Sequence, residues 1–157
     1  MIFRAGPDGK VPKAVRTERK QAMRELVRMG TPVGLLAYSD GEPIAWCSVR
    51  PRASFRGLVG VGQETDPVWS MTCFYVNPAF RKTGIMRALL QQAIALARQA
   101  GATALEAYPV DPDSPSYRFG GFVPFFTSNG FREVGRLGLR RHVVRLNLDA
   151  NRITRRG

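Results

Sequence analysis

Apolar and polar positions alternate along this chain in two distinct rhythms. From about Ala14 to Met29 the residues Val15, Ala22, Met23, Leu26 and Val27 fall on one helical stripe, with Arg19, Lys20, Arg24 and Arg28 opposite. That pattern predicts an amphipathic helix, which Gly30 can end in a left-handed cap. Val33–Ser39 and Ile44–Arg50 then read as strands around Asp40-Gly41, a hairpin turn signal, with Trp46 half-buried. Pro51 to Pro67 is a loop rich in glycine and arginine (Arg52, Arg56, Gly57, Gly60, Gly62), long enough to be functional. Trp69–Val76 is the next strand; its run Thr72 to Val76 is apolar or β-branched and predicts burial. Asn77-Pro78 breaks it, because proline cannot donate to a ladder.

A second helix is predicted over 84–100, apolar at positions 85, 89, 93, 96 and 100 and widened by Leu90 and Ile94, with Gly101 as its stop. Ala102–Tyr108 is a strand and Pro109–Pro115 a loop. Phe119–Ser128 is a short helix weakened by Gly120, Gly121 and Pro124, the proline being tolerated only near the first turn. Phe131–Arg136 and His142–Leu148 are the last strands. Residues 1–5 read as a short first strand, Asp8-Gly9 and Pro12 as a loop, and the polar tail 149–157 as frayed. No repeat or low-complexity run appears.

The chain of 157 residues fits one domain able to bury a core. No apolar run reaches membrane-spanning length, and the N-terminus lacks the apolar stretch of a signal peptide; the expected location is the cytoplasm. Cys47 and Cys73 both fall in predicted strands and read as small core residues rather than a disulfide or metal pair. The net charge of +12 biases the surface toward polyanions. Much of it lies late, at Arg132, Arg136, Arg140, Arg141, Arg145, Arg152, Arg155 and Arg156. Part can serve an anionic cofactor and most is solvated surface; no helix-turn-helix, zinc-finger or RNA-binding signature points to nucleic acid.

Residues 72–90 carry the chemistry. A strand runs into a basic turn, Arg81-Lys82-Thr83-Gly84, and then a helix. Unpaired amides at the positive end of a helix dipole bind phosphate. Gly84 allows close approach to the backbone, and Arg81, Lys82 and Arg87 add charge. The residues alone therefore imply a phosphorylated, anionic ligand.

The arrangement Val76-x-Pro78-x-x-Arg81-x-x-Gly84 followed by Leu89-Leu90 resembles the acetyl-CoA signature of the GNAT superfamily of N-acetyltransferases. That family's Gln/Arg-x-x-Gly-x-Gly/Ala corresponds to Arg81-Lys82-Thr83-Gly84-Ile85-Met86, with Met86 where the family has Gly or Ala; its amide can still donate, but its side chain needs room. Ser128-Asn129-Gly130-Phe131 resembles the family's Gly-Phe segment, and the likeness covers about residues 14–148 of a single domain. The part before the hairpin is shorter than usual for the family. The resemblance implies a mixed, mostly antiparallel central sheet flanked by helices, an α/β (α+β) fold. It also implies an acetyl-CoA-dependent transfer to a primary amine.

By the same resemblance, the backbone of Phe74, Tyr75 and Val76 faces the pantetheine arm and thioester on a splayed strand. The amides of Lys82, Thr83, Gly84, Ile85, Met86 and Arg87 hold the pyrophosphate. Leu105-Glu106-Ala107 matches a stretch in which some members carry a glutamate base. Glu106 is therefore a candidate base acting through water, the alternative being a solvent-facing strand charge. Phe126, expected beside the cofactor, stands where many members have a tyrosine acid and cannot donate a proton. Tyr108, Tyr117 or water could substitute, although both tyrosines also read as packing or rim residues. Ser70 stands where others have an acidic base. His142, the sole histidine, reads as structural, and no metal-ligand cluster is present. The acceptor is left open, as is a homodimer. Two other readings stand beside the transferase: a CoA-binding regulatory module without turnover, and a basic nucleic-acid-binding protein.

Overall fold

The computed structural model describes residues 16–58 and 67–148. The expected first strand at 1–5, the loop residues 59–66 and the tail 149–157 lie outside the described residues. Helix α1 spans Arg16–Arg28 and closes as expected at Gly30, where φ is +70°. Gly30 N–H bonds Val27 O and Thr31 N–H bonds Leu26 O, so two terminal carbonyls are satisfied. Its predicted stripe is only partly buried: Met23 and Leu26 are half-covered, while Ala22 and Val27 face solvent.

Strands β1 (Leu35–Ser39) and β2 (Glu42–Pro51) form the predicted hairpin. Asp40 and Gly41 both adopt positive φ, 49° and 82°, as a two-residue type I′ turn demands. Trp46 is half-buried, as its pattern suggests. Then come β3 (Val68–Val76), α2 (Ile85–Gln99), β4 (Ala104–Ala107), α3 (Val123–Thr127), β5 (Arg132–Leu137) and β6 (Arg141–Asn147). The expected helix over 119–128 is divided. Arg118–Gly120 is a 3-10 turn, and Gly121, at φ +83°, separates it from α3, where Pro124 occupies the first turn.

Among the described residues six strands form one sheet, ordered β1-β2-β3-β4-β6-β5. Every pairing is antiparallel except β3 with β4, which gives the mixed, mostly antiparallel sheet. Helix α2 covers one face through Leu89, Leu90, Ala93, Ile94 and Ala97, packed on Cys47, Val49, Met71, Leu105 and Val144. Ala100, counted in the predicted stripe, is instead the exposed C-cap. On the other face Phe55 and Leu58 fold back with Tyr108 and Val143 as a smaller apolar cluster.

Candidate active site

Two features of β3 create an opening. It pairs with β4 only from Val68↔Ala104 to Met71↔Ala107, then runs on to Val76 while β4 ends. The two strands therefore fork. Against β2 the register jumps from Ser48↔Cys73 to Val49↔Met71, leaving Thr72 as an extra residue; such a bulge bends and twists a strand. Asn77 N–H bonds Ile44 O and so points toward β2. Backbone alternation then turns the amides of Phe74 and Val76 toward the open fork.

A cleft of about 820 Å³ lies along this free edge. Its lining includes Phe74, Tyr75, Val76, Arg81, Lys82, Gly84, Ile85, Met86 and Arg87. Thr83 does not line it; its hydroxyl turns back to donate to Phe80 O at 2.5 Å. The turn is shaped by two left-handed residues, Lys82 at φ +63° and Gly84 at φ +85°, and Arg81 Nε braces it by donating to Val76 O at 3.3 Å. The first bond entering α2 runs from Ala88 N–H to Gly84 O. Amides before it have no partner within the helix, as at any helix start.

Nothing lies within 4 Å of where a Cβ on Gly84 would stand, so a phosphate has room above this backbone. Three exposed cations, Arg81, Lys82 and Arg87, surround it. These features fit the pyrophosphate of an adenosine-diphosphate-bearing ligand. Met86 is accommodated by a second glycine: a Cβ on Gly121 would come within 3.0 Å of its Cε atom.

The opposite wall was not expected from sequence. Phe80, Arg118, Phe119, Gly121, Phe122 and Phe125 complete the cleft. Arg118 lies 4.8 Å from the centroid of the Phe122 ring and donates to Pro112 O and Ser114 O. The Gly120-Gly121 pair amid aromatic residues was the available signal, since Gly120 approaches Tyr108 O too closely for any side chain. Phe126, by contrast, does not line the cleft. It is fully buried behind Phe125 and packs on Phe74, Phe125 and Phe131 at centroid distances of 6.0, 5.2 and 5.3 Å. Its expected place beside a cofactor is corrected to a place in the core, because α3 turns Phe125 outward and Phe126 inward.

Glu106 is not a solvated strand charge. It is 1% exposed, on the face away from α2. Arg52 donates from one nitrogen to both its oxygens at 3.3 and 3.2 Å. Arg145 donates to Oε1 at 3.0 and 2.5 Å. The Tyr108 hydroxyl donates to Oε2 at 2.9 Å and shares a 2.8 Å bond with Ser70. Burial, reinforced by the Glu106 charge, pushes the Tyr108 phenol well above its ordinary value. Arg52 reaches the site because its segment turns over the sheet in a 3-10 turn, Arg52–Ser54, anchored by Phe55.

Tyr117 does not line the cleft; it is half-buried, its ring 4.8 Å from the Arg141 guanidinium. His142 is buried; its Nδ1 pairs with Glu133 at 2.8 Å and its Nε2 lies 3.1 Å from Asp111. The His142 bond holds the Glu133 carboxyl below the usual carboxylate range. The two cysteines are free, and burial raises the Cys47 thiol to about 12. Among the described residues no cluster could hold a metal ion, and no helix is long and apolar enough to cross a membrane.

Residues 7–122 match the sequence profile of the acetyltransferase (GNAT) family. The chain belongs to that family. Acetyl-CoA is the acetyl donor of that family. Over 83 residues it is 37% identical to an aminoglycoside N(6')-acetyltransferase type 1 of Acinetobacter haemolyticus, a match covering 53% of this chain and 54% of that protein. The chain thus spans about half the length of this curated relative. The apo crystal structure of an aminoglycoside antibiotic 6'-N-acetyltransferase from the same organism superposes with a TM-score of 0.57 at 27% identity, over 81% of each chain. A Salmonella typhimurium protein solved with its cofactor acetyl-CoA shares the fold, with a TM-score of 0.59 at 22% identity over 88% of this chain and 78% of that one.

Proposed function

We propose that the protein is an N-acetyltransferase that moves the acetyl group of acetyl-CoA onto a primary amine. The observation that carries this reading is the continuity of one cleft. It joins the unpaired edge of β3 at 74–76 to the basic glycine turn at the start of α2. Acetyl-CoA supplies an activated thioester carbonyl when bound. The amides of residues 82–87, with Arg81, Lys82 and Arg87, hold its pyrophosphate. The fork-facing amides of Phe74 and Val76 orient the pantetheine arm and offer hydrogen bonds where charge develops on the acyl oxygen. Phe122 and Phe125 exclude water from the opposite side.

Amine attack leaves a proton to be removed. In this reading Glu106 is a positioning residue rather than the base, because both oxygens already accept from Arg52, Arg145 and Tyr108. With Phe126 buried and apolar, solvent at the cleft mouth takes the amine's proton and returns one to the leaving thiolate. Two free cysteines agree with a reducing, cytoplasmic location.

Acetyl-CoA should raise the melting temperature, as a ligand selective for the native state at 100-fold over its Kd contributes about 2.7 kcal/mol. Gly84→Asp places an anion at the phosphate position and should abolish that shift. Gly84→Asn, which also tolerates the left-handed turn, should keep part of it. Thiol release with an amine panel then reads the transfer. No thermal shift at millimolar acetyl-CoA would refute the reading.

A further inference from the structure

The wall of the cleft that faces the basic glycine turn carries a cation that the chemistry above does not use. Arg118 begins the 3-10 turn Arg118–Gly120 and lines the cleft. Its Nη1 donates to Pro112 O at 3.1 Å and to Ser114 O at 3.2 Å. Its guanidinium carbon lies 4.8 Å from the centre of the Phe122 ring, which lines the same cleft. These contacts hold in one place a long, exposed side chain that would otherwise lose much rotamer freedom on meeting a ligand. They occupy one nitrogen only. Among the described residues no hydrogen bond engages Nε or Nη2, and no carboxylate pairs with Arg118. Asp111, close by in the chain, pairs with His142 instead. The Nε–Nη2 edge of a guanidinium is the fork that matches two oxygens of a single phosphate.

The charge of the cleft says which phosphate that is. Its lining holds four cations, Arg81, Lys82, Arg87 and Arg118, and no carboxylate. Three of them stand on the glycine turn and the first turn of α2, beside the free amides, where a pyrophosphate is served. Acetyl-CoA has one phosphate more, the monoester on its ribose 3′ oxygen, with up to about two negative charges near neutral pH. The pantetheine arm has none. The acyl end of the cleft is apolar on both sides, with the Phe125 and Phe74 ring centroids 6.3 Å apart. Gly121 stands beside Met86, in the first turn of α2. Followed backward from Phe125 to Gly121, this wall passes from the acyl end to the helix start. Arg118 lies on the turn just before Gly121.

We propose that Arg118 binds the 3′-phosphate of acetyl-CoA and makes the protein select the donor over its 3′-dephospho form. The proposal rests on acetyl-CoA occupying this cleft and not on transfer to an amine.

Titration calorimetry with acetyl-CoA and 3′-dephospho-acetyl-CoA tests it on wild type, Arg118→Gln, Arg118→Lys and Arg132→Gln. Glutamine keeps a donor for the two carbonyls and removes the charge. Lysine keeps the charge and removes the fork. Arg132 is an exposed arginine of β5 outside the cleft, so its variant controls for net charge alone. Wild type should bind acetyl-CoA at least about tenfold tighter than the dephospho form, a factor equal to about 1.4 kcal/mol. Arg118→Gln should weaken acetyl-CoA about tenfold and leave the dephospho form within about twofold, so that the preference collapses. Arg118→Lys should keep part of it, and Arg132→Gln all of it. Equal weakening of both ligands by Arg118→Gln would overturn the proposal, because a residue that only braces the 112–114 segment would act that way. So would a wild type that binds both forms alike, or an Arg132 variant that loses the preference as fully. An unchanged preference in Arg118→Gln, with both ligands abolished by Gly84→Asp, would refute the role of Arg118 and leave the donor site standing. Absence of acetyl-CoA binding to wild type would refute both.

Discussion

Replacing Glu106 by glutamine separates a buried anchor from a catalytic base. The substitution keeps the side chain's shape and removes its charge. Glu106 and the Arg52 side chain are 1% and 10% exposed, so their pair is poorly screened, whereas Arg145 is wetter at 23%. Removing one partner of a buried pair costs about 3–5 kcal/mol, because the other charge remains desolvated. The partial exposure of Arg145 argues for the lower end, about 3 kcal/mol. For a domain of this size each kcal/mol shifts Tm by about 2–4 °C, so the loss should be roughly 6–12 °C. The new amide also directs a donor at Arg52, which can only donate, or at Tyr108, which could accept it only by giving up the bond it donates here. Calorimetry of wild type, Glu106→Gln, Arg52→Met and the double variant gives the coupling directly. The double variant should recover part of the loss, with a coupling energy above about 1 kcal/mol. A Tm within about 2 °C of wild type, together with turnover that falls at neutral pH and recovers in alkali, would refute the anchor and restore the base.

Phe126→Tyr should cost about 1–3 kcal/mol, because its hydroxyl enters a fully buried aromatic cluster; a stable variant with a faster turnover would show that the position reaches the site after all. Gly121→Ala should lose roughly 1–3 kcal/mol in urea denaturation, since φ is +83° and the new Cβ would stand 3.0 Å from Met86 and Phe126; a neutral result would show that both side chains can yield. Glu133 has a depressed carboxyl in the folded state. Its contribution is therefore present above the unfolded carboxylate pKa and disappears as pH falls through the lower folded value. A Tm profile from about pH 6 down to pH 3 should fall less steeply for His142→Gln than for wild type, and parallel profiles would contradict the assignment.

The sequence by itself determined the order of the described elements and the glycine turn that opens α2. Both rest on local rules. Apolar spacing identifies α2, the Asp40-Gly41 dipeptide identifies the hairpin, and Gly84 with its basic neighbours marks a helix start of the kind that suits an anion. Each signal lies within a few residues and is legible without knowing what packs against it. Only the tertiary structure decided that the strands part after Met71 and Ala107. Two segments must pair and then diverge, and neither strand's composition records where its partner ends. The same holds for Glu106, whose Leu-Glu-Ala setting suits a solvated charge, a base or a buried anchor equally. Arg52 and Arg145 are distant in the chain, and the fold alone brings them to its two oxygens. Phe125 and Phe126 make the point at the smallest scale. They are adjacent and chemically identical, yet the direction in which the short helix α3 faces the sheet sends one into the cleft and the other into the core.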